Sequence, residues 1–557
     1  MLFLYSKNFF QSIRSNKILL GILFAGLLLR ALNPIFGSPS LFISNDEAVA
    51  HLSALNMIAE KNPVSIANYT PLSAYVQIPF LAVSFLAMKL LGLVGNVSDF
   101  ELFLLTHEGY FLFIPRLISA FFGTLTILVI YKLALFLFNK KKVALFSAFL
   151  TAMSFNLVHI SHFGKPWPTA LFFMTLAIYL ALRKKILTSF VLAGIAYGFH
   201  QAGLLILPLL LAFTYKSRLK QIHGLAIFAF LFFILNKLTL KLGIVDAIRR
   251  GQSFLNPDTI IGEILSGHIT WQSVVDTFGN NLFGYFAANF LITDGVILIL
   301  GLLGIWKLVQ DRRLTTRLLI IFIVGYFIFA SFFFYPLLRY LLPIVILFIP
   351  LAAYGISKIR PIPWIVLAVI LFVASINSLW WNYLYLKTPT FIQARDWIIE
   401  NIPPEVPIAY IGGRYQTFSP NRDSIIHMQT VNNNYSKSLL LRIGSDNLDN
   451  VRNIIYVSNF SGENKLEQLK NATKEYPVKY VIDFYSNPEE SIYRQNQEVF
   501  EIIAYFTPKY GDKVLYPPEP LFDPRLNFPF PKSKIEFSMY SLERIGPYID
   551  ILKIKNF

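Results

Sequence analysis

The run ILLGILFAGLLLRALNPIF, Ile18–Phe36, leads into Ser44-Asn45-Asp46-Glu47. The first stretch suits a bilayer crossing, which takes about 20 helical residues. The second is the only acidic pair near a membrane boundary among the first 100 residues. Ser44 and Glu47 have the S-x-x-E spacing of a capping box, in which each side chain satisfies a backbone N–H at a helix start. Ala48, Leu52, Leu55 and Ile58 follow at helical spacing and give the predicted helix one apolar face. On local grounds Glu47 is a cap, and Asp46 favours the positive end of the helix dipole.

Composition widens that picture to the whole chain. Of 557 residues, 55% are hydrophobic and only 15% charged, less charge than a soluble domain carries. Apolar runs of crossing length recur, so the chain is read as a polytopic membrane protein. The net charge of +17 lies largely in short clusters between apolar runs. Clusters so placed orient a membrane protein, and a nucleic-acid partner is not expected. There is no cysteine, which excludes disulfides, thiolate metal sites and a thiol nucleophile. The first run shows no convincing cleavage site and is read as a retained helix.

The basic clusters set the expected topology. Lys7, Arg14 and Lys17 precede the first run, so the N-terminus is predicted to be cytoplasmic and Asp46 external. Lys140-Lys141-Lys142 is the next cytoplasmic marker. The segment Asn96 to Tyr110 is acidic and has no Lys or Arg, so it reads as external. Phe113–Phe138 is then the crossing. Pro71–Gly95 lies outside or along the membrane, within one large external loop, 37–112. Ile186–Tyr215 is basic at both ends and is expected to cross twice, turning at His200-Gln201. Continuing this parity gives about 11 crossings, with the N-terminus inside and the C-terminus outside.

After Leu386 the apolar runs shrink to strand length. Strands are expected at Val406–Ile411, Asn453–Val457, Val478–Phe484, Phe500–Phe506, Lys534–Tyr540 and Tyr548–Ile554. Helical patterns lie at Phe391–Asn401 and Ser461–Lys474. The alternation points to an external α/β domain over 386–557, beside a membrane module over 1–385. Gly412-Gly413 reads as a plain turn before it reads as a phosphate loop.

Four features then fall in order. They are the Asp46-Glu47 pair, the Tyr69-Thr70-Pro71-Leu72 step, Pro115-Arg116-Leu117-Ile118-Ser119 opening a crossing, and Arg339-Tyr340-Leu341-Leu342-Pro343 late in the bundle. Their order and sidedness resemble the GT-C membrane glycosyltransferases, in particular the protein O-mannosyltransferase and lipid A aminoarabinose transferase group. The resemblance covers roughly 1–385. It implies a GT-C-like helical bundle whose first external loop carries the catalytic acid, beside a cavity for a polyprenyl-phosphate sugar. It places Tyr69 and Tyr340 with the donor-binding residues.

The residues suit that chemistry. A lipid phosphate is already a stable anion as it departs, so it needs no protonation. One carboxylate, Asp46, can then act as general base on the acceptor hydroxyl, with Glu47 beside it. Arg116 and Arg339 are the expected phosphate partners, since a planar guanidinium binds two oxygens and keeps its charge. Either Arg could equally snorkel to lipid headgroups. Lys165 and His162 read as further phosphate contacts or as an interfacial loop, and the turn at His200-Gln201 can touch the donor. Asp46, Glu47 and His51 could together hold a divalent cation, but so short a cluster is usually not a metal site; no cofactor is assigned.

The expected function is therefore inverting transfer of a sugar from a polyprenyl-phosphate donor to an external protein, lipid or glycan acceptor at the cell membrane. The competing class is a lipid-linked sugar transporter or flippase. A transporter should carry ionisable groups in mid-helix, where this chain offers little beyond Lys132 and Asp294.

Overall fold

A computed structural model describes residues 16–38, 45–59, 71–106, 108–237, 278–310, 314–331, 338–359, 363–411, 418–420, 451–458, 465–485, 491–508 and 543–555. It has a helical bundle followed by a small mixed sheet.

Helices occupy the apolar runs within a few residues of expectation: Lys17–Ala31, Phe113–Phe138, Arg218–Lys237, Ala288–Val309, Leu314–Ser331, Leu342–Ile356 and Trp364–Tyr385. Local chemistry sets their ends. Asn139 takes a left-handed conformation (φ 51°) and stops Phe113–Phe138 just before the triple lysine. Ser154 caps Phe155–His162, its hydroxyl oxygen accepting from the Leu157 N–H. The chain reverses at His200, which is extended between Ile186–Phe199 and the 3-10 turn Gln201–Ile206. A Cβ at Gly203 would stand 2.3 Å from the Tyr197 backbone nitrogen, so this hairpin closes only on glycine.

By length and composition, the described residues do not confirm the expected count of eleven crossings. Among the described residues seven helices are long and apolar enough to cross, or eight if the pair Lys141–Met153 and Phe155–His162, bent by 47°, is one span. The shortfall has a geometric source. Trp167–Leu182, Ile186–Phe199 and Gln201–Thr214 are apolar but short. Sixteen residues of α-helix reach about 24 Å, less than the ~30 Å of a hydrocarbon core. Conversely Leu72–Leu90, within the segment expected to lie outside or along the membrane, qualifies as a span by length and composition.

The bundle is packed tightly where small residues meet. Gly304 and Gly355 bring Ala288–Val309 and Leu342–Ile356 into backbone contact; a Cβ at Gly304 would lie 2.0 Å from the Leu351 carbonyl oxygen, and one at Gly355 2.4 Å from that of Leu300. Close approach of this kind is how helices associate where no hydrophobic effect drives them together.

The sheet holds β1 (Ile408–Ile411), β4 (Ile454–Ser458), β5 (Tyr480–Tyr485), β6 (Phe500–Phe506) and β7 (Tyr548–Ile554), in the order β4-β1-β5-β7-β6. The two-residue strands β2 (Ser419–Pro420) and β3 (Val451–Arg452) pair separately. β1 runs parallel to β4 and β5, and β7 antiparallel to β5 and β6. This is the expected α/β domain. Its strand Lys534–Tyr540 and the Gly412-Gly413 turn lie outside the described residues. Helix Thr390–Asn401 leads from the bundle and is pinned to the sheet, the Thr390 hydroxyl donating to the Pro547 carbonyl at 2.7 Å.

Candidate active site

The predicted loop helix forms as Asn45–Ala59, with Asp46 and Glu47 in its first turn. Ser44 and Tyr69 lie outside the described residues. Glu47 does more than a cap would. Its carboxylate is fully buried and accepts from Arg116 twice, Nε to Oε1 at 2.6 Å and Nη2 to Oε2 at 3.1 Å. Oε1 also accepts the Gly164 N–H at 2.7 Å. The remaining nitrogen of Arg116, Nη1, donates to the carbonyls of Pro34 and Phe36 at 3.0 and 2.7 Å. The loop helix, the start of Phe113–Phe138, the end of the first apolar run and the corner after His162 thus meet at one ion pair.

Gly164 suits that corner because a Cβ there would strike the Pro115 ring at 2.5 Å. The Ser119 hydroxyl ties the same corner by donating to the Lys165 carbonyl at 2.9 Å. Lys165 is buried, its Nζ 5.5 Å from the Phe163 ring centroid. His162 is buried too and stacks on Tyr385 with centroids 4.1 Å apart. His159 lies on the same side of its helix, its Nδ1 3.5 Å from the Tyr385 hydroxyl.

One turn beyond Glu47, His51 is fully buried. Gln77 donates from Nε2 to the Ser73 carbonyl at 2.9 Å, which leaves its Oε1 facing His51 Nδ1 at 3.0 Å. Nδ1 is therefore the protonated nitrogen of a neutral imidazole. Burial pushes the imidazolium down to about 4, more than the Gln77 hydrogen bond and the charge of Glu47 raise it. Among the described residues no three His, Asp or Glu side chains form a metal-holding group.

The remaining candidates gather around Trp167. His200 is buried with its ring 4.0 Å from that of Trp167, and its Nδ1 accepts from the Ala202 N–H. The Tyr340 ring centroid lies 6.3 Å from that of Trp167, and the Arg339 guanidinium is 5.8 Å from the Tyr340 ring. Gln201 is exposed. The corner 162–167 therefore touches both groups of candidates, Glu47 and Arg116 at one end and His200 and Tyr340 at the other.

Three residues at this corner escaped the sequence reading. Trp167 and Tyr385 look like ordinary helix aromatics. Arg30, in the first apolar run, is buried and donates to the carbonyls of Gly26, Thr151 and Ala152. A charge inside an apolar run was the available signal for Arg30.

These features define a multi-pass membrane protein with an ion-paired acidic helix start. The family model described as dolichyl-phosphate-mannose-protein mannosyltransferase matches residues 80–200. That segment contains Arg116, His162, Lys165 and His200, and over it the chain resembles the mannosyltransferases that the motifs brought forward. The apo oligosaccharyltransferase of Archaeoglobus fulgidus is similar at a TM-score of 0.47 and 14% identity, over 86% of this chain and 70% of that one. ArnT from Cupriavidus metallidurans, bound to undecaprenyl phosphate, is similar at 0.43 and 14% identity, over 87% and 96%. The same protein in its apo state gives 0.45, with the same identity and coverage. No curated protein matches the chain.

Proposed function

We propose that the protein is a membrane glycosyltransferase that moves a sugar from a polyprenyl-phosphate donor to an acceptor hydroxyl by inverting single displacement. The observation that carries this reading is the pinned carboxylate of Glu47, the residue after Asp46, held by Arg116 and by Gly164 of the corner that also carries His162 and Lys165. The family match over 80–200 supports it, since that family's description pairs a polyprenyl-phosphate sugar with transfer.

In this reading Asp46 takes the proton of the acceptor hydroxyl. The acceptor oxygen bonds to the anomeric carbon from the face opposite the phosphate. The carbon–oxygen bond to phosphate breaks, and its electron pair leaves with the polyprenyl phosphate. Charge builds on that phosphate in the transition state, where cations are worth most. Arg339 and Lys165 are the groups offered to it. The charge of Arg116 is already met by Glu47, so its part is to fix the acidic pair.

The test is transfer from polyprenyl-phosphate mannose in detergent, with the product's anomeric configuration read by NMR. Inversion is expected. Retention would exclude the single displacement, and no transfer from any polyprenyl-phosphate sugar alongside lipid-linked sugar uptake would favour the transporter.

A further inference from the structure

Two helix breaks lie against each other inside the bundle. One is the bend between Lys141–Met153 and Phe155–His162. The other is at Asp294, whose backbone leaves helical geometry (φ −132°, ψ 41°) within Ala288–Val309. The buried Asp294 carboxylate joins them. Its Oδ1 accepts from the Phe155 N–H at 2.8 Å. Its Oδ2 accepts from the Ser154 hydroxyl at 2.8 Å, from Asn156 Nδ2 at 2.7 Å and from the Asn156 N–H at 3.3 Å. Asn156 Nδ2 also donates to the Thr293 hydroxyl oxygen at 3.0 Å.

A third helix, Trp364–Tyr385, closes the carbonyl side of both breaks. Asn377 Nδ2 donates to the carbonyls of Ile292 and Thr293, each at 2.8 Å. The Ser378 hydroxyl donates to the Met153 carbonyl at 2.7 Å. Broken backbone at membrane depth is costly unless side chains satisfy it, and here they do. The carboxylate also stands at the positive end of the Phe155–His162 dipole.

That helix has eight residues, about 12 Å of length, too short to hold itself in place. Its eight residues are all buried, and both ends are tied by hydrogen bonds. Asp294 grips the first. Just past the second, the Gly164 N–H meets Glu47.

We propose that Asp294 is a positioning residue for the transfer: it fixes the Phe155–His162 helix so that the Gly164 N–H stays on Glu47, with Lys165 next in the chain. The role rests on the glycosyltransferase reading above. Asp294→Asn keeps the volume but turns an amide toward donors, so the helix start loses its grip.

The experiment measures undecaprenyl phosphate binding to the full chain in detergent, with hydrogen exchange of 155–165 alongside. Asp294→Asn should weaken binding by about 3- to 30-fold and speed exchange in that segment. Asp294→Asn combined with Asn156→Asp returns a carboxylate to the joint and should recover most of the loss. A residue that only stabilises the bundle would lower the melting temperature without changing affinity in the folded protein, and the exchange of partners would rescue nothing. Either result overturns the role. If Asp294→Asn does not fold, Asn156→Ala removes only part of the joint; unchanged affinity there overturns it too. A parent protein that binds no undecaprenyl phosphate sinks the transferase reading itself, whereas normal parent binding with an unaffected folded variant sinks this role alone.

Discussion

Arg116 grips both carboxylate oxygens of Glu47 across 69 residues of sequence, with neither side chain open to solvent. A buried pair of this kind is costly to break from one side, because the other charge is left behind. Glu47→Gln should therefore destabilise the protein by roughly 3–5 kcal/mol. A plain cap would lose far less, since Gln also serves in a capping box. Thermal unfolding in detergent separates the two, and an unshifted melting temperature would restore the cap.

Asp46→Asn keeps the helix start and removes the proton acceptor. Transfer should fall about 10²–10⁴-fold or more while donor still binds. An active variant would end the base assignment. One that binds no donor would make Asp46 a structural residue.

Arg339→Ala should weaken donor binding by about 1.5–3 kcal/mol, the worth of a hydrogen bond to a charged group. Lys should recover part of it, lacking the planar fork. Equal binding by all three proteins would leave Arg339 as a lipid anchor.

His51 supplies a pH dependence. Its folded value of about 4 lies below the ordinary 6.5, so between these values the unfolded chain binds the extra proton. Stability from this group is full above 6.5 and is lost as pH falls toward 4. His51→Asn should flatten that part of the stability profile. Identical profiles would place the titration elsewhere.

Much of the fold was legible in the chain because membrane helices announce themselves one at a time. Phe113–Phe138 and the turn at His200 need only local apolar length and local breaks. β6 and β7 have the expected bounds for the same reason. The site was less legible. S-x-x-E spacing made Glu47 look like a cap, whereas its partners are Arg116 and Gly164, and nothing local reveals a partner supplied by packing. The same holds for Asp294, whose partner Ser154 is 140 residues away. The count of eleven rested on charge parity, which assigns a crossing to an apolar helix such as Trp167–Leu182 whatever its length.

The orientation of Lys140-Lys141-Lys142 remains a matter of charge, and chemistry can read it. A cysteine at 141 should resist an impermeant thiol reagent in intact cells; the native chain has no cysteine to confuse the result. Labelling from outside would invert the assignment.

The contact between Gly304 and Gly355 bears on how loss-of-function screens of this protein are scored. A side chain at either position must push two helix backbones apart, far from Asp46 in sequence and with no part in any proton transfer. Such variants would be dead in an activity assay for reasons of assembly. Ranked by activity alone, they would be indistinguishable from variants of the base, so abundance in the membrane has to be measured beside turnover before any inactive position is assigned to the chemistry.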